Sequence, residues 1–364
     1  MTKKPLILIV LTLTALSILA GCRQKRRTPK DIINADGDHK ELNSIRMKPD
    51  EKITKLKNGL SVVRYEGDYG FGGFLKQGGA ASDEEVVNYV SGQLSLNIPE
   101  LIFGGKPFGC STLSVKNTKK GYLFGRNFDW SNCDGLIISS RPKEGYASVS
   151  TVNSDFIRAG GVNISKLPDS AQAVIGLYAP LDGMNEKGLA VSVNMIEDSE
   201  SIEQNTKKPD ITTTTAVRLL LDRAANVEEA LDLLARYDLH ASMDMMVHFA
   251  LADAEGSSVA VEYVDNKMVV TNTPAVTNFY LAEGKKYGVG TSQSHTRYDL
   301  LMEARKKKEE MTEADVRDAL NSVSKDNFDE FESTEWSIVM NQDTKELTYF
   351  HREDYESGYT ISVE

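Results

Sequence analysis

Gly109-Cys110-Ser111-Thr112-Leu113-Ser114-Val115-Lys116-Asn117-Thr118-Lys119-Lys120-Gly121-Tyr122-Leu123-Phe124-Gly125-Arg126-Asn127-Phe128-Asp129-Trp130 is the stretch from which the fold can be read. Residues 113–116 alternate apolar and polar, residues 117–121 are turn formers, and Tyr122-Leu123-Phe124 resumes an extended pattern. The spacing predicts a β-hairpin, with Cys110 at the start of its first strand and Arg126 and Asp129 at the end of its second. Antiparallel pairing brings those two ends together, so a thiol, a guanidinium and a carboxylate should meet in space. A cysteine in such surroundings is a candidate nucleophile.

The chain holds three cysteines, Cys22, Cys110 and Cys133. In an oxidising compartment Cys110 and Cys133 could instead form a structural disulfide. A bridge needs no Arg and Asp at set spacing, whereas a reactive thiolate does. Cys133 reads as a small core residue.

The 364 residues suffice for one large core or two smaller ones. A net charge of −11 argues against a nucleic-acid partner, which needs a basic face. Gly78-Gly79 and Gly104-Gly105 lack the context of a phosphate loop. The five histidines are scattered without ligand spacing, so neither a metal nor another cofactor is expected.

At the amino terminus, Lys3-Lys4 precede an apolar run over residues 6–20 that ends in Leu19-Ala20-Gly21-Cys22. This resembles a bacterial lipobox, with Cys22 the lipidated residue and 1–22 a signal peptide; an ordinary signal peptide or uncleaved anchor is the alternative. The run is shorter than the roughly 20 residues that span a bilayer, which favours cleavage. The basic patch 23–27 follows, and 23–42 reads as a flexible tether. The expected product is extracytoplasmic and anchored to the bacterial membrane by lipid. Asp36-Gly37-Asp38 lacks EF-hand spacing and reads as part of that tether.

Residues 43–109 form a separate segment before Cys110. It contains a strand-like piece at 60–65, a capping box at Ser82-Asp83-Glu84-Glu85 opening a helix through Val86, Val87, Tyr89 and Val90, and an apolar stretch at 98–103. After the hairpin, strands are expected at 190–195, 246–252, 259–264 and 268–270. Helices are expected at 215–225, at 227–237 capped by Asn226 with Glu229, at 302–310 and at 313–323. Periodicity alone gives only strands and helices mixed in one domain.

Several blocks, in order, resemble the choloylglycine hydrolase group of N-terminal nucleophile hydrolases, also called linear amide C–N hydrolases. They are Cys110 with Arg126-Asn127-Phe128-Asp129; Asp182-Gly183-Met184-Asn185-Glu186-Lys187-Gly188-Leu189 with Val193-Asn194; Val276-Thr277-Asn278-Phe279; Arg297; and Thr334-Glu335-Trp336-Ser337-Ile338-Val339. The resemblance implies an α+β catalytic domain over 110–364, built as a four-layer αββα sandwich. Cys110 lies well inside the chain, a layout similar to acid ceramidase and N-acylethanolamine acid amidase, and this implies self-cleavage between Gly109 and Cys110. Glycine there would leave the carbonyl unhindered and permit a strained turn.

The freed α-amine of Cys110, with a pKa of about 7.7–8.0, could then deprotonate its own thiol of about 8.5. The resemblance further implies that Arg126 stabilises the thiolate and Asp129 orients the amine. Asn194 would be an oxyanion donor, Asn278 a second polar group at the amine or oxyanion, and Arg297 would complete the charge network. For Asn194 and Asn278 the alternative is a satisfied buried amide, and for Arg297 a plain salt bridge.

The implied substrate is a small amphiphilic N-acyl amide: an N-acylethanolamine, an N-acyl amino acid or a bile acid conjugate. A penicillin V acylase or acyltransferase of the same group is the second reading. A catalytically silent lipoprotein that binds an acylated ligand is the third. Whether segment 43–109 stays bound as a subunit after cleavage is left open.

Overall fold

The hairpin forms as the alternation predicts. Strand Gly109–Asn117 pairs antiparallel with Tyr122–Trp130, setting Gly109 opposite Asp129, Cys110 opposite Phe128 and Thr112 opposite Arg126. Side chains alternate between the two faces of a strand. Leu113, Val115 and Leu123 accordingly face one hydrophobic cluster, while Cys110, Phe124 and Phe128 face the other. The computed structural model describes residues 41–45, 52–94, 101–103, 109–159, 162–198, 200–326 and 332–364. The expected signal peptide with Cys22, the expected tether up to residue 40 and residues 98–100 of the 98–103 stretch lie outside the described residues. All the described ones fall in one compact unit, Asp36–Glu364.

Among the described residues the hairpin lies in an eight-stranded sheet. Its order is Glu41–Ser44, Ser357–Ser362, Glu346–His351, Ser333–Asn341, Tyr122–Trp130, Gly109–Asn117 and Ala275–Val276, with Glu310–Met311 also on Gly109–Asn117. A nine-stranded sheet runs Lys267–Asn272, Ser258–Val264, Val247–Ala252, Ala190–Met195, Asp182–Asn185, Ser148–Asn153, Gly135–Pro142, Leu60–Gly67 and Thr54–Lys57. The two sheets face each other across a core that includes Phe128, Trp336, Met340, Met184 and Val191. Helices Ser292–Lys307 and Glu313–Ser322 cover the outer face of the first sheet through Leu301, Val316 and Leu320. Helices Asp169–Leu177 and Thr213–Arg223 cover the second. This is the expected four-layer αββα arrangement.

Local chemistry explains several helix starts. Asn226 Oδ1 accepts from Glu229 N at 3.0 Å and starts helix Val227–Leu234. Ser82 Oγ accepts from Glu85 N at 3.2 Å at the head of Asp83–Leu94. Two expectations need correction. The helix expected at 302–310 begins at Ser292, capped by Thr291, so Arg297 rides on a helix rather than preceding one. Helix Thr213–Arg223 starts two residues early because Thr212 and Thr215 form a capping box, satisfying N–H groups that the first turn leaves free.

The segment before Cys110 is woven into both sheets. Leu60–Gly67 runs parallel to Gly135–Pro142 from one end to the other, and Glu41–Ser44 runs parallel to Ser357–Ser362. Phe71 and Phe74 on the segment meet Tyr178 at ring-centroid distances of 5.6 and 5.7 Å.

Candidate active site

Cys110 is fully buried at the edge of the space between the sheets. Its Sγ lies 3.6 Å from the Val193 carbonyl, which also accepts from Arg126 Nη2 at 3.2 Å. Thiol and guanidinium are therefore held on one shared acceptor. Arg126 is fully buried, ion-paired through Nε with Asp182 at 2.8 Å, and stands over the Phe128 ring at 5.2 Å. Its Nη1 has no hydrogen-bond partner among the described residues, which leaves a buried N–H available to an anion.

Burial pushes the Cys110 thiol up to about 11; Arg126 and Arg297 pull it down, while Asp129 and Asp182 push it further up. Burial likewise raises the Asp182 carboxyl, against the pull of Arg126 and hydrogen bonds from Thr151 and Trp336.

The backbone side of residue 110 carries a second network. Cys110 N donates to Asn278 Oδ1 at 2.8 Å, and Cys110 O accepts from Arg297 Nη1 at 3.1 Å. Arg297 also donates to Asp129 Oδ2 at 2.9 Å and, through Nη2, to Asn278 Oδ1 at 2.7 Å. Asp129 Oδ1 accepts from Thr334 Oγ1 at 2.7 Å. Arg126 and Asp129 are an odd number of residues apart on one strand, so they point to opposite faces of the sheet. Arg126 serves the sulfur side and Asp129 the backbone side.

Asn194, on Ala190–Met195, makes no hydrogen bond to residue 110 among the described residues. Its Nδ2 donates to Val276 O at 3.3 Å and Thr277 O at 3.5 Å, and its Oδ1 accepts from Ser192 Oγ at 2.8 Å. Cys110 and Cys133 are both free thiols, so the disulfide alternative is not realised.

Gly109 sits in extended backbone at the head of its strand, not in a strained turn. What requires glycine is crowding. A Cβ there would fall 2.4 Å from Glu332 Oε1, 2.6 Å from Lys325 Nζ and 2.7 Å from Asp129 Oδ2. Lys325 in turn ion-pairs with Glu332 at 2.5 Å and approaches Asp129 at 3.9 Å. A cleft of about 80 Å³ opens here, lined in part by Gly109, Met195, Asn278, Arg297 and Lys325.

Sequence reasoning missed Asp182, Thr334, Lys325 and Glu332 as members of the cluster. The first two stood in quoted blocks without a role, and nothing local marked Lys325 or Glu332. Asn127 is structural: it donates to Leu320 O at 2.9 Å and accepts from Ser337 Oγ at 2.7 Å, tying a helix to the sheet.

Residues 110–280 match the family model of linear amide C–N hydrolases, choloylglycine hydrolase family. Penicillin V acylase of Pectobacterium atrosepticum is 30% identical over 105 residues, which cover 26% of this chain and 28% of the acylase. Two variants of the conjugated bile acid hydrolase from Clostridium perfringens share the fold. One aligns at TM-score 0.53 and 18% identity, the other at 0.50 and 17%; each alignment covers 70% of this chain and 92% of the hydrolase.

Proposed function

We propose that this chain is a member of the linear amide C–N hydrolases of the choloylglycine hydrolase family, whose model residues 110–280 match, and a self-processing cysteine amidase whose nucleophile is Cys110. The observation that carries the reading is the double hold on residue 110. Its thiol shares the Val193 carbonyl with Arg126, and its nitrogen rests on Asn278. The family match begins at this same residue.

In the uncut chain the nitrogen of Cys110 is an amide and cannot serve as a base. Sγ attacks the Gly109 carbonyl and the C–N bond breaks, with the nitrogen taking the proton the thiol gives up. The resulting thioester is hydrolysed by water. The products are a Gly109 carboxylate and a free Cys110 amine.

That amine is then the general base for its own thiol. Asn278 Oδ1 already faces this nitrogen, and Arg297 and Asp129 balance the charge it acquires. On an amide substrate the thiolate, stabilised by Arg126, attacks the acyl carbon. The ammonium protonates the leaving amine, and water hydrolyses the acyl thioester. Asn194 is the candidate oxyanion donor. Both of its backbone contacts are longer than the usual 2.7–3.2 Å for N–H···O bonds, so an oxyanion can displace one at little cost.

The substrate class is the N-acyl amides: N-acylethanolamines, N-acyl amino acids or bile acid conjugates. Penicillin V is the second candidate, favoured by the identity to a penicillin V acylase. We further read the lipobox at Cys22 as anchoring the enzyme outside the cytoplasm, and residues 43–109 as a retained subunit. The parallel pairing of Leu60–Gly67 and the burial of Phe71 and Phe74 support retention. A panel of these amides, assayed with wild type and Cys110→Ala, tests the reading. Release of free amine or acid by wild type alone supports it; equal or absent release from every amide contradicts it.

A further inference from the structure

The strip of chain that carries Asn278 is gripped from behind by a buried histidine and glutamate outside the cluster around Cys110. His248 lies on Val247–Ala252, directly opposite Asn194, and Glu262 lies on the next strand, Ser258–Val264. Both are fully buried. His248 Nε2 is 2.7 Å from Thr277 O, a carbonyl that can only accept, so Nε2 donates. Nδ1 faces Glu262 Oε1 at 3.1 Å, a contact satisfied when one proton is held between them. The glutamate also accepts two backbone N–H groups: Leu281 N on Oε1 at 2.8 Å and Ala282 N on Oε2 at 2.5 Å. The pair therefore holds the strip on either side of Asn278.

The opposite side of the strip is closed as well. Tyr280 N donates to Val289 O at 3.0 Å, and Gly290 approaches so closely that a Cβ there would lie 2.5 Å from Asn278 O. Burying such a pair contributes little net stability compared with apolar residues of the same volume. Its position, by contrast, is specific. Asn278 must present one oxygen to Cys110 N at 2.8 Å and to Arg297 Nη2 at 2.7 Å, so a small shift of its backbone loses both contacts.

We propose that His248 and Glu262 are positioning residues that fix Asn278 against the nitrogen of Cys110 through the backbone of residues 277–282. Their role in turnover rests on the reading of Cys110 as nucleophile, but their effect on geometry does not.

Two measurements separate these. In an uncleavable Cys110→Ala chain, the amide of residue 110 still donates to Asn278, and its hydrogen exchange reports the contact directly. Glu262→Gln should accelerate that exchange roughly 10-fold or more. Amides at the far end of the hairpin should be unchanged. In the cysteine-bearing chain, the same substitution should slow processing and lower kcat roughly 10- to 100-fold with little change in KM. In an Asn278→Ala background it should cost under about twofold, because the group being positioned is gone. His248→Gln, which keeps an N–H for Thr277 O, should give a milder version of both effects and serves if Glu262→Gln does not fold. Unchanged exchange at residue 110, or equal losses with and without Asn278, would overturn the proposal. A wild type that neither cleaves itself nor hydrolyses amides would instead overturn the nucleophile reading, and the exchange measurement would still decide this one.

Discussion

The side-chain oxygen of Asn278 accepts the backbone N–H of Cys110 at 2.8 Å, in a chain where that nitrogen is still part of a peptide bond. On the proposed reading, the acceptor for the ammonium that cleavage would create is therefore in place beforehand. Arg297 braces it, donating to Asn278, to the Cys110 carbonyl and to Asp129 from one guanidinium. On the proposed reading, self-cleavage and amide hydrolysis use one preorganised frame.

Arg297→Lys should not rescue that frame. The planar fork reaches three acceptors that a single ammonium cannot reach together. Processing and turnover should each fall roughly 10- to 100-fold, close to the loss from Arg297→Ala. Activity within about twofold of wild type would mean that charge alone suffices.

Gly109→Ala should slow self-cleavage by at least about tenfold, since the new methyl meets Glu332, Lys325 and Asp129 below 3 Å. Time-resolved mass measurement of freshly synthesised chain reads this. Cleavage at the wild-type rate would show that those side chains yield freely.

The thiol's raised pKa sets a pH dependence. With Cys110 pushed up to about 11, the neutral thiol dominates at pH 7, and each pH unit below 11 reduces the thiolate tenfold. Processing of uncut chain should therefore accelerate from pH 6 to pH 8. A rate that rises on acidification would show that another group controls the step.

The elements were legible because their signals are local. The hairpin, the 190–195 strand and the Asn226 cap each follow from a few neighbouring residues. The site was legible only where such elements carry it. The link between Arg126 and Asp182 depends on how two sheets face each other. The grip of Thr334 on Asp129 depends on the register between Ser333–Asn341 and Tyr122–Trp130, which shifts by a bulge just there. His248 and Glu262 each stand singly among mostly apolar neighbours in their strands, so nothing local in the sequence pairs them. The start of helix Ser292–Lys307 was missed because its first turn is polar and shows no apolar stripe.

His351 should limit acid stability. Burial, together with Arg352 and Lys57, lowers its pKa to about 4. The unfolded chain takes up a proton near pH 6.5 that the folded one refuses until about 4, so stability falls as pH drops through that window. The loss from this group should reach about 2 kcal/mol by pH 5. His351→Gln should abolish that increment in denaturation midpoints compared at pH 7 and pH 5. An identical pH dependence in the variant would assign the loss elsewhere.

After cleavage, the segment ending at Gly109 should remain with the larger fragment through size-exclusion chromatography and separate only in denaturant. Phe74 is fully buried against Tyr178, so Phe74→Ala should weaken that retention by about 3–5 kcal/mol. Separation of the wild-type fragments in native buffer would make the segment a propeptide instead.

The most direct test is the intact mass of purified chain beginning after Cys22, wild type beside Cys110→Ala. Self-processing requires two wild-type fragments, the larger beginning at Cys110 with a free amine, and a single uncut chain for the variant. A wild type that stays whole from pH 5 to pH 8, with a Cys110 that resists alkylation and no amide hydrolysis, would contradict Cys110 as the nucleophile.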